Sequence, residues 1–293
     1  MKKIVATMDF SPASENALKW AGALARIHDA EMCVVHSLLL ASHATPYVPP
    51  APSFDHDLQQ KVNGLLEQAV AGLREGGIEV EARLVHESPA RAVAAICDEW
   101  RPDLVVVGTR GAGGLEHAIL GSTAERIVTS ASCPVLAVHP EDAAPDLPIR
   151  RVLLATDFSA ESRSAAESAI ELLKPAQDGE LVVVHGVSLP VEYGLYEMAS
   201  LPQEYLDTIE EAAEREAEKW LASLATGDWK TRVRIVRGHP YEVIALAAEE
   251  EQADFIAMGT HGHGRVAGVL LGNTARKTLQ HARCPVLTVR RRD

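Results

Sequence analysis

Short apolar runs alternate with amphipathic stretches along the whole chain. In the first half, the apolar run Ile4–Met8 predicts a strand, and a helical pattern follows from about Ser11 to Ile27. The same alternation then predicts strands near Met32–His36, Val80–Val85, Leu104–Val107 and Pro134–Val138, and helices near Leu58–Arg74, Ala90–Trp100 and Ser122–Ser130. Leu104–Val107 is apolar throughout, as expected of a strand buried on both faces. The alternation indicates an α/β fold in which helices cover both faces of a parallel sheet.

The second half of the chain repeats the first. The opening segment Lys3–Ser11 matches Arg151–Ser159, and the closing segment Cys133–Val138 matches Cys284–Val289. The offset between the halves stays between 148 and 151 residues, so insertions are small and confined to loops. Duplication of one unit explains this pattern.

We therefore predict two homologous domains, residues 1–140 and 149–293, each of a size typical of a single domain. The segment Glu141–Pro148 between them is acidic and contains two prolines. Such a composition is typical of a short, semi-rigid connector.

Composition excludes several classes of protein. A hydrophobic content of 47% with 24% charged residues is ordinary for a globular chain, and the net charge of −13 argues against nonspecific binding to nucleic acid or anionic membranes. No apolar run approaches the ~18 residues of a membrane span. The N-terminus runs directly into the first repeated strand, so we interpret it as part of the fold and not as a signal peptide. The four cysteines form no CxxC pair, which favours packed, reduced thiols in a cytoplasmic protein.

The strongest chemical signal is a glycine-spaced loop that occurs once in each half. Each copy follows the fourth strand, precedes a helix and has the spacing Gly-x₂-Gly-x₉-Gly. The glycines are Gly108, Gly111 and Gly121 in the first copy and Gly259, Gly262 and Gly272 in the second. Three glycines at fixed offsets would recur by chance with odds of about 3 in 10,000, so the loop is a duplicated feature.

The position of this loop indicates an anion site. Ligands of doubly wound sheets bind beyond the carboxyl ends of the strands, where Asp9 and Gly108 both lie. Glycine permits positive φ and close backbone approach, and the following helix adds main-chain amides, partial positive charge and the hydroxyls of Ser122 and Thr123. Neither GxxxxGK[ST] nor a GxGxxG after the first strand occurs, which argues against a P-loop or a dinucleotide-binding domain.

The glycines also have a purely structural interpretation, as tight turns and helix starts. Ser122 and Glu125 have the spacing of a capping box, just as Ser11 and Pro12 suit the start of the first helix. From spacing alone, the structural and the ligand-binding interpretations are about equally supported.

The combined motifs resemble the universal stress protein family. They are the glycine loop followed by Ser or Thr, the segment Cys133–Leu136 after it, the opening Ala6–Ser11 and the turn Gly238–Pro240 before a helix. The resemblance covers nearly the whole chain as a tandem pair. It implies sheets of strand order 3-2-1-4-5 and pairing of the two last strands, Pro134–Val138 and Pro285–Val289, about a pseudo-two-fold axis.

Family members with this motif bind ATP, so the resemblance also implies an ATP site, with or without magnesium. Asp9 would hold the ribose or adenine side, the backbone near Val107 and Ser37 would line the base, and the loop would wrap the phosphates. The implied site residues are Thr7, Asp9, Ser37, Val107, Gly108, Arg110, Gly111, Gly121, Ser122 and Thr123.

The second domain departs from the family pattern. Asn273 replaces the expected serine or threonine, and Arg276 replaces Glu125, which removes a negative charge. Charge alone favours phosphate at the second loop, whereas the family pattern favours the first, which we expect to be the better ATP site. The second loop would bind nucleotide weakly, bind another anion or stay empty. Its residues are Asp157, Met258, Gly259, His261, Gly262, Gly272, Asn273 and Thr274.

Metal binding and catalysis receive little support from the residues. His261 and His263 lack an obvious third ligand, which zinc requires, and Asp55–Asp57 suits the start of a helix better than a metal. Nothing pairs a nucleophile with a base and an orienting group, so we assign no catalytic residue and expect at most weak ATPase activity. His36 and His185 recur at the same strand end, and their role stays open.

We predict a nucleotide-binding stress or regulatory protein. Two alternatives remain. The first is a carrier or sensor of another small ligand, such as a lipid, held by the apolar segments Leu38–Pro52 and Leu189–Tyr196. The second is an interaction scaffold with vestigial nucleotide loops. The sequence leaves open which sites are occupied and whether two copies of the chain form a homodimer.

Overall fold

The computed structural model describes residues 1–39, 52–110, 120–143, 148–173, 179–188, 202–262 and 271–290. The contacts divide the chain into two compact units, Met1–Pro145 and Asp146–Asp293. Each unit is an α/β domain with a parallel sheet, as the alternating pattern predicts.

The first domain alternates strictly between strands and helices. Its elements are β1 (Lys3–Thr7), α1 (Pro12–His28), β2 (Glu31–Ser37), α2 (Pro52–Glu75), β3 (Val80–Val85), α3 (Pro89–Trp100), β4 (Leu104–Gly108), α4 (Ser122–Ser130) and β5 (Val135–Val138). All neighbouring strands are parallel, and their pairing gives the order β3-β2-β1-β4-β5.

The second domain repeats this arrangement. Its elements are β6 (Arg151–Ala155), α5 (Ala160–Leu173), β7 (Glu180–Val187), α6 (Gln203–Ala222), β8 (Lys230–Arg237), α7 (Pro240–Glu250), β9 (Phe255–Gly259), α8 (Asn273–His281) and β10 (Val286–Val289). The parallel pairing gives the order β8-β7-β6-β9-β10.

The central strands explain the uninterrupted apolar runs. Leu104–Val107 of β4 are at most 2% exposed, so both faces of this strand are covered. The start of α1 also follows from its residues. Ser11 is the N-cap, its Oγ accepts a hydrogen bond from the amide of Ser14 at 3.2 Å, and Pro12 occupies the first turn.

The start of α2 differs from the sequence prediction. The helix begins at Pro52, six residues before the predicted start at Leu58. Its first turns lie on the surface, where Phe54 is 65% exposed, and the buried face begins only further along, at Leu66 and Val70. Hydrophobic periodicity reports contact with the core, so it misses helical turns that make none.

Candidate functional site

A split opens at the carboxyl edge of each sheet. In the first domain, the pairing of β1 with β4 ends at Ala6 and Val106, although β1 stays paired with β2 for one more residue and β4 with β5 for two. In the second domain, β6 and β9 separate after Leu154 and Ala257. The strand order reverses at this point, which is where doubly wound sheets bind ligands.

Asp9 lies in an exposed turn directly after β1. Its Oδ1 accepts a hydrogen bond from the amide of Ser11 at 3.0 Å, and Phe10 between them has a φ of 61°. This left-handed conformation is rare for a bulky residue, so the surrounding structure must hold it.

His36 holds this turn in place. Its Nδ1 donates a hydrogen bond to the carbonyl of Met8 at 2.7 Å, and its ring centroid lies 4.8 Å from that of Phe10. A carbonyl only accepts, so Nδ1 carries the proton. The role that the sequence left open is therefore to position the turn that presents Asp9.

The second domain builds the same turn. Asp157 Oδ1 accepts from the amide of Ser159 at 3.1 Å, and Phe158 has a φ of 65°. His185 donates to the carbonyl of Thr156 at 2.8 Å and stacks on Phe158 with the ring centroids 4.6 Å apart.

Close contacts join the Asp9 turn to the glycine loop. Ser11 Oγ donates to the carbonyl of Arg110 at 3.1 Å. Gly108 packs directly on α1, since a Cβ at this position would lie 2.8 Å from Ala13 C and from Ser14 N. Glycine is required here because the protein's own backbone approaches closely.

The helix α4 begins at a glycine. Gly121 is the N-cap, and its amide donates to the carbonyl of Thr109 at 2.7 Å. The capping box expected from Ser122 is wrong, because Ser122 is the first residue of the helix and lies one position too late to cap it. Among the described residues no side chain caps α4, and both Ser122 and Thr123 are exposed. Uncapped amides at a helix start attract anions.

The second loop follows the same backbone plan. Gly272 is the N-cap of α8, and its amide donates to the carbonyl of Thr260 at 2.8 Å. The Asp157 carboxylate lies against Gly262, where a Cβ would collide with it. Asn273 begins the helix and is exposed.

Comparison with known proteins decides the family. The sequence model described as the universal stress protein family matches residues 1–139 and 148–290. The chain belongs to the universal stress protein family. A universal stress protein of Mycolicibacterium smegmatis is 28% identical over 99% of this chain and 97% of its own length, and one of Mycobacterium tuberculosis is 29% identical over 98% and 96%.

A solved structure gives the same fold. The crystal structure of a universal stress protein from Archaeoglobus fulgidus covers 99% of this chain and 98% of its own, with a TM-score of 0.68 and 22% identity. The resemblance seen in the motifs and the α/β prediction are both confirmed.

In this universal stress protein, the described loop glycines act through their size. Gly121 and Gly272 have φ values of −61° and −62°, so neither uses the positive φ that glycine permits. A Cβ at Gly121 or Gly272 would instead lie 3.0 Å from the carbonyl oxygen of Thr109 or Thr260. The positive-φ glycines of the described residues, Gly77, Gly227 and Gly238, lie elsewhere.

Two of the predicted site side chains already have partners. Arg110 Nη1 donates to Glu141 Oε1 at 2.7 Å, and Ser37 Oγ donates to the carbonyl of Glu87. The Arg110–Glu141 pair is largely solvent-exposed on the Glu141 side, and such pairs contribute only about 0–1 kcal/mol. Arg110 can therefore leave Glu141 for a ligand at little cost. The hydroxyl of Ser37 is occupied, so this residue could contact a ligand only through its backbone.

The remaining predicted residues divide by burial and by position. Thr7 is partly exposed at the end of β1, whereas Val107 and Met258 are at most 5% exposed and present only backbone at the strand ends. Gly111 and His263 lie outside the described residues, as do most of the apolar segment 38–52 and all of segment 189–196.

A buried hydroxyl in the first loop could not be predicted from the sequence. Thr109 is 1% exposed, and its Oγ1 has no hydrogen-bond partner among the described residues. The equivalent Thr260 Oγ1 lies 3.1 Å from His261 Nδ1. An unpaired buried hydroxyl costs about 1–3 kcal/mol, so this position favours a polar partner.

The structure gives less support to other kinds of site. Two surface cavities of about 360 and 430 Å³ open at the amino edge of the first sheet, beside Glu31 and Glu79, far along the strands from the glycine loop. Across the described ranges, no three His, Cys, Asp or Glu side chains converge as a metal site would require. None of the described helices combines the length and apolar character needed to cross a membrane.

Proposed function

We propose that this protein binds ATP at the carboxyl edge of the first domain and acts as a nucleotide-dependent regulatory protein. One observation carries the proposal. The uncapped start of α4, with Ser122 and Thr123 exposed, is joined through the Thr109 and Arg110 carbonyls to the turn that presents Asp9. Groups that can donate hydrogen bonds to an anion, at the start of α4, and a carboxylate that can accept them from a sugar, on Asp9, thus belong to one hydrogen-bonded unit.

The phosphates would be held by the start of α4. The amides of its first turn, the two hydroxyls and the helix dipole all favour negative charge. Arg110 supplies a cation beside this loop at the cost of a surface ion pair, and Thr109 supplies an unpaired hydroxyl. The positive charge of Arg110 offsets the overall charge of −13 locally.

The ribose and base would be held at the split between β1 and β4. Asp9 uses Oδ1 within its own turn, and Oδ2 has no hydrogen bond to any residue that the structure describes. A carboxylate oxygen accepts hydrogen bonds from ribose hydroxyls. The backbone of Val107, beyond the last β1–β4 pair, would line the base.

A charge placed at the first helical position tests the phosphate site without disturbing the fold. We expect Ser122→Asp to weaken ATP binding by about tenfold or more, because the new carboxylate would lie next to the phosphates and repel their negative charge. The same aspartate should leave the thermal stability equal or slightly higher, since a negative charge suits a helix start. Isothermal titration calorimetry and thermal unfolding of the full chain measure both effects.

The second domain supplies the matched control. Asn273→Asp places the same charge at the equivalent position of α8. We expect it to leave ATP binding unchanged, because we propose the first loop as the ATP site. Loss of binding in Asn273→Asp alone would move the site to the second domain. Unchanged binding in both variants would refute a phosphate site at either loop.

Competition experiments test the choice of nucleotide. ATP should bind more tightly than AMP and adenosine, and inorganic tripolyphosphate should compete with it. Equal affinity for adenosine and ATP would contradict the proposed role of α4. We propose no catalytic role for the described residues, so phosphate release from bound ATP should be slow compared with ATP exchange.

A further inference from the structure

The segment that follows β5 folds back onto α1. Asn16 Nδ2 donates hydrogen bonds to the carbonyls of His139 and Asp142, both at 2.9 Å. Trp20 Nε1 donates to the carbonyl of Ala143 at 3.1 Å. Asn16 is 6% exposed and Trp20 is 3% exposed, so water hardly competes for these bonds. The start of the connector between the two domains is therefore held by the first domain.

The segment His139–Ala143 also has a fixed shape of its own. Asp142 Oδ2 accepts a hydrogen bond from the amide of His139 at 2.7 Å and lies 3.2 Å from His139 Nδ1. Both side chains are at most 5% exposed. Glu141 lies between these two buried residues, so its backbone is held in place while its side chain is 65% exposed.

Glu141 reaches from this segment to the glycine loop of the first domain. Its Oε1 accepts from Arg110 Nη1 at 2.7 Å. The backbone of Arg110 is held as well, because Ser11 Oγ donates to its carbonyl at 3.1 Å. One ion pair thus joins the proposed phosphate site to the start of the connector.

The second domain has serines in place of both side chains that hold this segment. With the two repeats aligned at an offset of 148 residues, Asn16 corresponds to Ser164 and Trp20 to Ser168. Each serine hydroxyl donates instead to the carbonyl four residues earlier in its own helix, at 3.0 and 2.8 Å. The same fold therefore forms without an asparagine and a tryptophan here, and the attachment is specific to the first domain.

We propose that ATP bound at the first loop takes Arg110 away from Glu141 and thereby loosens the attachment of the segment His139–Ala143. The inference rests on the proposed ATP site. Phosphate offers a guanidinium two parallel charge-assisted hydrogen bonds and carries more negative charge than a carboxylate. Glu141, left without its cation beside the phosphates, is then repelled by them.

The coupling acts in both directions. Because binding free energies are linked, any change that loosens the segment His139–Ala143 must also favour ATP. An exposed ion pair shifts such an equilibrium by about two- to fivefold at most. The nucleotide state of the first loop is therefore reported, as a modest change in local opening, on the segment that leads into the second domain.

Hydrogen exchange of the full chain tests this coupling. Exchange of the segment His139–Ala143 is followed by mass spectrometry without ligand, with saturating ATP and with saturating adenosine, and calorimetry on the same preparation measures binding. We expect ATP to speed exchange in this segment by about two- to fivefold. Adenosine should leave exchange unchanged, because it has no phosphate to engage Arg110.

Three variants separate the coupling from a general loss of structure. Glu141→Gln should bind ATP about two- to fivefold more tightly, and ATP should no longer change exchange in the segment. Asn16→Ser, which introduces the residue of the second domain, should also tighten ATP binding, although Asn16 holds only the connector. Combining the two substitutions should bring little further gain, because both remove one interaction. If Asn16→Ser does not fold, Trp20→Phe removes only the bond to Ala143 and should act in the same direction.

Glu81→Gln serves as the matched control. It removes the same charge from another exposed glutamate that is paired with an arginine, at the opposite edge of the first sheet. ATP affinity and exchange of the segment should both stay at the wild-type value in this variant.

The possible failures can be told apart. The coupling is overturned if ATP binds without speeding exchange in the segment, if adenosine speeds it equally, or if the folded Asn16 or Trp20 variant binds ATP as wild type does. If calorimetry detects no binding of ATP, the proposed function fails and the coupling falls with it.

Discussion

The two glycine loops share a backbone and differ in side chains. In both domains the amide of the N-cap glycine, Gly121 or Gly272, donates to a threonine carbonyl, and a Cβ there would lie 3.0 Å from the same oxygen. The side chains around this frame diverge, with Ser122 in the first loop and Asn273 in the second. The repeated glycines therefore report packing, and the diverging side chains carry any difference in binding.

This contrast changes how the glycine motif should be interpreted. Gly108 is needed because α1 lies against it, which holds whether or not a ligand binds. A glycine-to-valine variant would therefore damage the fold and the site together. Charge substitutions at exposed first-turn positions, such as Ser122→Asp, separate the two effects.

The largest loss of stability should come from adding a side chain to a glycine that packs against a neighbouring helix. We expect Gly108→Ala to lower the free energy of unfolding of the first domain by about 2–3 kcal/mol, because its Cβ meets backbone atoms of α1. Gly259→Ala should cost a similar amount in the second domain, since its Cβ would lie 2.9 Å from the Cβ of Glu161 and 3.0 Å from the carbonyl oxygen of His261. Urea unfolding followed by hydrogen exchange measures each domain.

A control comes from a glycine in open surroundings. Gly64 lies within α2 with nothing within 4 Å of its Cβ position. Gly64→Ala should stabilise the protein by about 0.5–1 kcal/mol through helix propensity alone. If Gly108→Ala is as stable as wild type, the close packing of Gly108 on α1 is refuted.

The next largest effect on stability concerns the amino edge of the sheets, where the two domains are held by different contacts. Lys3 Nζ lies 5.2 Å from the Trp100 ring centroid in the first domain, and at the equivalent place Arg151 donates to the carbonyl of Glu251 at 2.6 Å. The Glu251 carboxylate is 10% exposed and accepts hydrogen bonds from Arg232 and Arg234. These bonds, the one from Arg232 first, lower the pKa of Glu251 although burial raises it.

A lowered pKa in the folded state makes this stabilisation depend on pH. It is fully present above the pKa of an unfolded glutamate, about 4.3, and is lost as pH falls through the lower folded pKa. We expect Glu251→Gln to lower the free energy of unfolding by about 2 kcal/mol at pH 7, with the gap to wild type closing in acid.

An exposed glutamate provides the comparison for this effect. Glu81 also bonds to an arginine, Arg83, but its side chain is 55% exposed. Glu81→Gln should change stability by less than about 0.5 kcal/mol at any pH. Equal losses in Glu81→Gln and Glu251→Gln would contradict the role of burial.

The smallest effect should separate the two helix caps. Ser11 and Ser159 each accept a hydrogen bond at 3.2 Å from the amide three residues later, but Ser11 also donates to the carbonyl of Arg110. We expect Ser159→Ala to cost about 1 kcal/mol and Ser11→Ala about 1 kcal/mol more. Hydrogen exchange should rise at the start of the first loop only in Ser11→Ala. Equal costs for the two variants would show that the bond to Arg110 contributes nothing.

Much of the architecture could be predicted because it depends on local spacing. The start of α1 at Ser11 and the buried strand Leu104–Val107 follow from neighbouring residues alone. The start of α4 could not be predicted in this way, because Ser122 and Gly121 both suit a helix start. The carbonyl of Thr109, which the Gly121 amide contacts, settled the choice.

The candidate site shows the same limit. Asp9 and the loop residues were identified from their positions at strand ends, but the partners of Arg110 and the buried state of Thr109 depend on segments distant in the chain. The recurrence of His36 as His185 in the second domain was a sequence signal. Its hydrogen bond to the carbonyl of Met8, in the turn after β1, nevertheless depends on β1 and β2 lying side by side.

The spacing of apolar residues, the spacing of glycines and the internal repeat can all be read along the chain. They suffice to predict two repeated units, the alternation of strands and helices, and the family. Contacts such as Gly108 with α1, or Glu251 with Arg232 and Arg234, join residues that the chain keeps apart. They exist only once the crossovers have ordered the strands. Burial and hydrogen bonding at these contacts then decide which carboxylate has a lowered pKa and which loop amides are left for a ligand.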